Sequence, residues 1–366
     1  MMFFILVFLV FTAVNIYLYI KGRKAIPRNK TIRIIYGSAF GVVSGSFLIA
    51  MLGRNILPLG IQKILYFIGT VWMGYMLYLT IWLIVSDLIL LLFKKTIRKR
   101  LSVWQIGLGY GLISILLSIG YFRYTQPKIV EKEIFIAKSN EKYKNLKVVA
   151  VSDMHLGVAN DKKWLQKRVR QINQLQPDMI WIAGDMVDNN VLPLEREKMY
   201  EELNQLQSRL GTYMCLGNHE YLSGIEGSLQ FLQKTNIRLL IDQAVEVDSA
   251  FWMIGRDDFK MNPQRKSLSE LTALTETSQT VFLLDHEPYF LDQTAAEGID
   301  FQFSGHTHQG QLWPLSFIVN ALFENPYGLM QKGNSSVFVS SGLGLWGPPF
   351  RIGTQSEILV FDIRFN

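Results

Sequence analysis

The chain has 366 residues, which allows two or three domains, and its single cysteine excludes a disulfide framework or a thiolate metal cluster. Although 49% of the residues are hydrophobic and only 18% are charged, the charge is uneven: residues 1–123 hold 14 Lys and Arg against one acid, whereas residues 124–366 are net acidic. The positive excess lies between apolar segments, where it indicates membrane topology, and a nucleic-acid partner, which would need a basic patch on a folded domain, is not expected.

Four long apolar segments are predicted to be transmembrane helices, because about 20 apolar residues cross a hydrocarbon core of about 30 Å. The first segment lacks the basic start and the small-residue cleavage site of a signal peptide, so we interpret it as a membrane anchor. The predicted helices cover residues 1–20, 34–53, 64–93 and 103–122, within an anchor domain predicted at residues 1–123.

Small residues recur at every fourth position in the second and fourth predicted helices, a spacing that allows helix backbones to approach closely in lipid. These residues are Gly37, Gly41 and Gly45, and Gly107 and Gly111. Asp87 is the only acid in the region, and it lies near the basic end of the third helix, where an acid can reach lipid headgroups. A transport path would need polar residues in mid-membrane, so we interpret the helices as a packed anchor.

The loops between the predicted helices indicate their orientation. Residues 21–33 hold six basic residues and residues 94–100 hold five, whereas residues 54–63 hold only two. The positive-inside rule places the first and third loops in the cytoplasm. The sequence therefore predicts a multi-pass protein of the cell membrane whose C-terminal domain lies on the extracytoplasmic side.

The remaining chain has the pattern of a mixed α/β domain. Residues 124–147 are polar and are interpreted as a linker with a first strand, and the domain proper is predicted at residues 148–366. Short apolar runs typical of buried strands alternate there with helical patterns. The predicted strands are 148–152, 179–184, 212–217, 281–284, 301–304 and 337–340, and the predicted helices are 162–176, 195–208, 227–235 and 288–297.

Polar side chains follow five of the predicted strands, and all five histidines of the chain are among them. Sites in open α/β sheets form outside the carboxyl ends of strands, so we expect these side chains to converge. Residues two apart in extended backbone face the same way, which would bring the members of each Asp-x-His or His-x-His pair to one metal ion. Imidazole and carboxylate ligands suit Mn, Fe, Co or Zn. The residues are Asp153, His155, Asp185, Asp188, Asn218, His219, His286, His306 and His308.

Glycines precede three of these residues, Asp185, Asn218 and His306. Because glycine has no Cβ, it permits a sharp turn or a close approach of backbone to a neighbouring group. We therefore expect crowded backbone at these three positions.

Five motifs, in order across residues 153–308, resemble the calcineurin-like metallophosphoesterases. They are D-x-H, G-D-x-x-D, G-N-H-E, a later single histidine, and G-H-x-H. The region from G-H-T-H-Q-G-Q to Arg351 and Glu357 is similar to a bacterial membrane-associated branch that includes UDP-2,3-diacylglucosamine pyrophosphatases, although Ser356 stands where that branch often has proline. The resemblance implies a four-layer α/β/β/α sandwich.

The resemblance also implies a role for each of these site residues. His219 would be a catalytic acid that is not a ligand, and Asp188 would be the carboxylate that orients it. Asp185 would bridge two divalent ions, which could be Mn, Fe, Zn or Co. One ion would be held by Asp153, His155, Asp185 and His308, and the other by Asp185, Asn218, His286 and His306.

The sequence favours hydrolysis of a phosphodiester or pyrophosphate bond, in a lipid or lipid-linked substrate. An extracytoplasmic domain argues against a UDP-linked substrate, because nucleotide sugars are cytoplasmic. Two alternatives stay open: a tethered phosphodiesterase for soluble substrates, and a non-catalytic membrane sensor that binds metal. The apolar segment 312–323 is interpreted as core, with a lipid-facing lid extended by Trp346 and Phe350 as the alternative.

Overall fold

The computed structural model describes residues 2–276 and 278–366. They form two compact units. The first comprises Met1–Phe122 with Gly347–Phe350, and the second comprises Arg123–Trp346 with Arg351–Asn366.

The first unit contains four helices that are long and apolar enough to cross a membrane. They are α1 (Met2–Ala25), α2 (Lys30–Leu52), α3 (Leu59–Leu90) and α4 (Lys95–Thr125). Helices α1, α2 and α4 extend beyond the predicted segments into the basic stretches, because Lys and Arg are good helix formers, whereas α3 begins at Leu59 and ends at Leu90, before the predicted end at residue 93. The side chain of Asn29 accepts a hydrogen bond from the Ile32 N–H (3.1 Å) and caps the start of α2.

The predicted role of the repeated glycines is wrong for three of them. A Cβ built at Gly41, Gly107 or Gly111 meets no other atom within 4 Å, so these positions are not points of close helix approach within the described chain. The close approach of α2 and α3 instead occurs at Gly69, where a Cβ would lie 2.3 Å from the backbone nitrogen of Phe47. Spacing alone could not identify Gly69, because it depends on which face of α3 meets α2.

Asp87 connects three of the helices. It accepts hydrogen bonds from Gln105 Nε2 of α4 (3.0 Å) and from the Tyr17 hydroxyl of α1 (3.3 Å), and it forms an ion pair with Lys21. A carboxylate in an apolar bundle needs such partners to offset the loss of hydration. Asp87 therefore helps to hold the bundle together, a role that the sequence analysis did not assign to it.

The second unit contains two six-stranded sheets, with strand orders β1-β12-β2-β3-β4-β5 and β10-β11-β9-β8-β7-β6. The strands of the first sheet are β1 (Lys128–Ile136), β2 (Asn145–Ser152), β3 (Met179–Ala183), β4 (Thr212–Cys215), β5 (Arg238–Leu239) and β12 (Glu357–Phe365). Those of the second are β6 (Gln243–Val247), β7 (Phe251–Gly255), β8 (Thr280–Leu284), β9 (Phe301–Ser304), β10 (Gly328–Lys332) and β11 (Ser335–Val339). Strands β2, β3 and β4 run parallel, as do β7, β8 and β9, so their carboxyl ends share an edge in each sheet.

The sequence does not predict β5, β6, β7, β10 or β12. The C-terminal strand β12 lies between β1, to which it is parallel, and β2, to which it is antiparallel. Its place in the sheet depends on pairing with residues far away in the chain, and local sequence carries no record of that pairing. The helices are α5 (Lys162–Gln174), α6 (Leu192–Arg196), α7 (Met199–Leu203), α8 (Asn218–Leu222), α9 (Ile225–Leu232), α10 (Leu268–Thr272), α11 (Leu291–Ala296) and α12 (Ser316–Leu322).

The two sheets pack face to face through a shared aromatic core. The Trp181 ring of β3 lies 4.9 Å from Phe282 of β8, and Phe361 of β12 lies 4.9 Å from Phe301 of β9. The outer faces are covered by helices such as α5 and α9 on the first sheet and α10 and α11 on the second. This layering confirms the expected four-layer α/β/β/α sandwich.

Candidate metal centre

The structure brings the predicted site residues together at the carboxyl ends of five strands. Strands β2, β3 and β4 contribute from one sheet, and β8 and β9 contribute from the other. Three groups of carboxylate and imidazole atoms form there, and within each group all the atoms lie within 4.8 Å of one another. One of them, His155 with Asp185 and His219, shares a residue with each of the other two. Asp185, which follows β3, supplies an atom to the second group and lies beside the first.

The first group consists of Asp153, His155 and His308. His308 Nε2 lies 3.4 Å from Asp153 Oδ1 and 3.1 Å from His155 Nε2. His155 Nε2 lies 3.8 Å from Asp185 Oδ2. Four side chains from three loops therefore point two nitrogens and two carboxylates at one small volume.

The second group consists of Asp185, His286 and His306. His286 Nε2 lies 3.1 Å from Asp185 Oδ2, and its Nδ1 lies 2.7 Å from the carbonyl oxygen of Ala183. Because Nδ1–H donates to that carbonyl, the lone pair of a neutral His286 is on Nε2, which faces Asp185. Asn218 joins this group through its Oδ1, 3.0 Å from His306 Nδ1.

These residues fit a divalent metal ion. His286 Nε2 is buried without a hydrogen-bond donor, although Nδ1 of the same ring is satisfied. Burial lowers the pKa of His306 to about 3, and burial together with His155 lowers the pKa of His308 well below its usual value. Despite its burial, the Asp185 carboxylate raises the pKa of His286 well above its usual value, so a metal ion at Nε2 would displace a proton. Neutral imidazole is the form that binds metal, and imidazole with carboxylate suits borderline divalent ions.

The backbone at the centre is held in an uncommon conformation. Five of the predicted ligands have positive φ angles between 45° and 70°: Asp153, His155, Asp185, His306 and His308. Such angles cost about 1–3 kcal/mol in a non-glycine residue and cluster at functional sites. The expectation that the paired ligands project from extended backbone is therefore wrong, since left-handed turns rather than the strand pleat direct these side chains.

His219 lies in the centre, and the main chain of Asp188 is nearer to its ring than the Asp188 carboxylate that was expected to orient it. His219 Nδ1 lies 2.7 Å from the backbone carbonyl oxygen of Asp188 and 3.9 Å from its carboxylate. The carboxylate lies nearer to His155, with Oδ1 3.6 Å from Nδ1 of that ring. The turn after β3 presents its main chain to His219, an arrangement that side-chain spacing could not reveal.

Glu220 is a site residue whose role the sequence reasoning missed. Its buried carboxylate accepts hydrogen bonds from the backbone N–H groups of Asp185 (3.1 Å), Val187 (3.0 Å) and Gly217 (2.8 Å). One side chain thus connects the turns that follow β3 and β4. The acidic residue in the G-N-H-E motif was the available signal.

Arg351 and Glu287 also support the ligands. The buried Arg351 guanidinium donates to the carbonyl oxygens of His308 (3.0 Å), Gly342 (3.0 Å) and Gly344 (2.9 Å), which fixes the turn carrying His308. Glu287 Oε1 lies 3.4 Å from His306 Nε2. A carboxylate on the outer nitrogen of a ligating histidine sets the orientation and basicity of the ring.

The expected crowding at the three glycines is confirmed. A Cβ at Gly217 would lie 2.3 Å from Asp185 Oδ1, and one at Gly305 would lie 2.4 Å from Asp153 Oδ2. Gly184 has a φ of +67° and equally little space. The two carboxylates can occupy their positions because these residues have no side chain.

We expect Gly217→Ala to weaken metal binding by about 10–100-fold, as the loss of an outer-shell partner does, because the new methyl group displaces Asp185. Gly227→Ala in α9 is the control, since its Cβ meets only Val191 Cγ1 at 3.2 Å. Calorimetric titration of the metal-free proteins with Mn²⁺ measures the difference. Equal affinities for the two variants would contradict the prediction.

Comparison with known proteins is consistent with this geometry. A family model described as calcineurin-like phosphoesterase matches residues 146–310. An uncharacterized metallophosphoesterase of Helicobacter pylori is 33% identical over 272 residues, covering 73% of this chain and 72% of the relative. One of Campylobacter jejuni is 34% identical over 228 residues, or 60% of each chain, so the match spans less than two thirds of that relative. A transmembrane protein with metallophosphoesterase domain of Danio rerio is 32% identical over 279 residues, which cover 70% of this chain and 62% of the relative.

Proposed function

Because the chain belongs to the calcineurin-like metallophosphoesterases, and is therefore a hydrolase, we propose that its centre uses two divalent metal ions to cleave phosphodiester or pyrophosphate bonds. The observation that carries the proposal is the position of Asp185 Oδ2, 3.1 Å from His286 Nε2 and 3.8 Å from His155 Nε2. A carboxylate between two imidazole clusters is the arrangement expected of a bridging ligand in a two-metal site.

The proposed ligands follow the two clusters. A bound metal pair would supply a hydroxide near neutral pH and neutralise charge on the phosphoryl oxygens. The neutral amide oxygen of Asn218 limits the negative charge where a phosphate group must bind. One ion is assigned to Asp153, His155, Asp185 and His308, and the second to Asp185, Asn218, His286 and His306, with Mn, Fe, Zn and Co as candidates.

His219 is proposed to donate a proton to the leaving oxygen. Its Nδ1 is held by the Asp188 carbonyl, which fixes the ring and leaves Nε2 as the atom that can face substrate. A positioned general acid of this kind contributes about 10²–10⁴-fold to the rate. Asp188 is a positioning residue in this scheme, and it acts through its main chain.

The substrate is proposed to be a lipid or lipid-linked phosphoester, and the catalytic unit is proposed to lie outside the cytoplasm. Four helices able to cross a membrane and the basic loops between their apolar segments support this placement. A tethered enzyme for soluble phosphodiesters is the alternative. A non-catalytic sensor is less well supported, because every proposed ligand and His219 are in place.

The test is hydrolysis of a chromogenic soluble diester, bis(p-nitrophenyl) phosphate, by the full-length chain in lipid nanodiscs. We expect p-nitrophenol release after addition of Mn²⁺ to metal-free protein and no release in the presence of a chelator. Absence of hydrolysis of this ester and of a panel of phospholipids with Mn, Fe, Zn and Co would overturn the proposed function.

A further inference from the structure

The segment that follows the last metal-ligand motif is exposed, although core packing was expected for it. The side chains of Phe317, Ile318 and Leu322 are 65%, 58% and 66% exposed, and no residue of α12 is buried. Within the segment Leu312 alone packs inside as predicted, and Phe350, which was to extend the lid in the alternative interpretation, is buried. We name the exposed apolar residues Trp313, Leu315, Phe317, Ile318 and Leu322 the apolar shelf.

The apolar shelf borders the metal centre at both of its ends. At its start, a single 3₁₀ turn, His308–Gly310, leads from the ligand His308 towards α12. At its end, the Phe323 ring lies 5.9 Å from the ring of His306. On the side of the proposed proton donor, the half-exposed Trp346 ring lies 6.1 Å from His219. Apolar side chains therefore lie beside His306, a proposed ligand, and beside His219, the proposed proton donor.

A contiguous apolar surface of this kind marks a place of interaction, because soluble proteins rarely expose such patches without a partner. Residues 309–323 carry no charge, and they combine Trp and Phe with branched aliphatic side chains. Aromatic and aliphatic side chains without charge are typical of segments that lie in the membrane interface. Lipid is favoured over a protein partner because this segment offers no charged side chain for ion pairs across a protein interface.

Chain connectivity supplies the second reason to favour lipid. The helix α4, which is apolar enough to cross a membrane, ends at Thr125, and β1 begins at Lys128. A linker of two residues cannot carry the catalytic unit far from the point where α4 leaves the bilayer, because an extended residue spans at most about 3.6 Å. The catalytic unit therefore stays close to the bilayer that α4 would cross, which favours lipid over a protein partner for an exposed apolar helix in this unit.

We propose that the apolar shelf inserts into the lipid bilayer beside the metal centre, and that the substrate is a phosphoester whose acyl or isoprenoid part stays in the bilayer. The second half rests on the proposed function, whereas the insertion itself does not. The substrate then approaches with its phosphate at the metal centre and its apolar part along the shelf.

Insertion is tested with spin labels on the full-length chain in phosphatidylcholine and phosphatidylglycerol nanodiscs. The native Cys215 is buried and does not compete for the label, so Phe317→Cys and Phe135→Cys give single labelled sites. Phe135 on β1 is a matched control, because it is 68% exposed. We expect the label at position 317 to be reached by oxygen and shielded from an aqueous nickel chelate, and the label at 135 to show the reverse.

Two results would overturn the insertion. Equal access of the nickel chelate to both labels would place the shelf in water. Dipolar broadening confined to the label at position 317 would show that a second copy of the chain covers the shelf instead.

The substrate class is tested by the ratio of activity on a long-chain phospholipid in nanodiscs to activity on bis(p-nitrophenyl) phosphate. We expect Phe317→Asp to lower this ratio by about tenfold or more, since a charge opposes burial of the shelf in lipid, and Phe135→Asp to leave it unchanged. An unchanged ratio in Phe317→Asp, or a wild-type protein active only on the soluble ester, would overturn the lipid substrate. If the wild type cleaves neither ester, the proposed function fails, and the spin labels still decide the insertion.

Discussion

His219→Ala is expected to lower turnover on an alkyl phosphodiester by about 10²–10⁴-fold while metal content stays at the wild-type level. The ring lies at the centre with Nδ1 held 2.7 Å from the Asp188 carbonyl oxygen, and it is outside the ligand sets that we propose. Its loss therefore removes a proton donor without removing a metal ligand.

The dependence on the leaving group makes this prediction specific. An alkoxide needs a proton to leave, whereas p-nitrophenolate leaves readily without one. The defect of His219→Ala should therefore shrink when bis(p-nitrophenyl) phosphate replaces the alkyl diester. Turnover is measured by product release, and metal content by elemental analysis of the same samples.

His308→Ala serves as the comparison, because His308 is a proposed ligand and its loss should reduce both metal content and turnover. Two outcomes would count against the role of His219. Normal turnover on the alkyl diester would remove it from the mechanism, and loss of bound metal in His219→Ala would make it a ligand.

Asp185→Asn is expected to reduce turnover more than His219→Ala, beyond the roughly 10²–10⁴-fold attributed to a general acid. Asp185 Oδ2 lies 3.1 Å from His286 Nε2 and 3.8 Å from His155 Nε2, so both proposed ions depend on its charge. Asparagine keeps the Oδ1 acceptor for the His219 N–H (2.9 Å) and preserves the shape of the side chain. The change therefore removes charge with little change in packing.

Metal content and thermal unfolding of the same samples show whether Asp185→Asn loses turnover because it binds less metal or because it is less stable. Asp185→Asn should hold fewer metal ions per chain, and adding Mn²⁺ should raise its unfolding temperature less than that of the wild type, because the stabilisation of the native state by a ligand increases with the logarithm of its affinity. Asp300→Asn is the matched control, since that largely buried carboxylate pairs with Lys138 (2.9 Å) and is not a proposed ligand. A full complement of metal in Asp185→Asn would refute the bridging role.

Much of the site was accessible from sequence because its residues follow buried strands. A strand ends shortly before each of five predicted site residues: Asp153, Asp185, Asn218, His286 and His306. Parallel strands of one sheet bring their ends to a common edge, so these residues meet. The crowded positions Gly184, Gly217 and Gly305 were accessible for a similar reason, since an adjacent glycine is a local feature.

Other features could not be predicted from local sequence, because they depend on long-range contacts. The group that holds His219 is the carbonyl of Asp188, and main-chain atoms carry no residue-specific signal. The sequence showed Glu220 only as the last residue of a motif. The hydrogen bonds that its carboxylate accepts from the turns after β3 and β4 depend on how those turns meet in the fold. The close approach at Gly69, rather than at the repeated glycines, depends on the rotation of α3 against α2.

The apolar segment 312–323 shows what local sequence can predict and what depends on long-range contacts. Hydrophobicity reports that a side chain avoids water, but it does not state whether protein or lipid will cover it, and only the tertiary structure left Phe317, Ile318 and Leu322 exposed. Local composition and spacing were enough to predict which strands precede the proposed ligands, the family and four helices apolar enough for a membrane. The left-handed turns of the proposed ligands, the partner of His219 and the exposure of the shelf could be seen only in the folded chain, because each depends on contacts between residues distant in the chain.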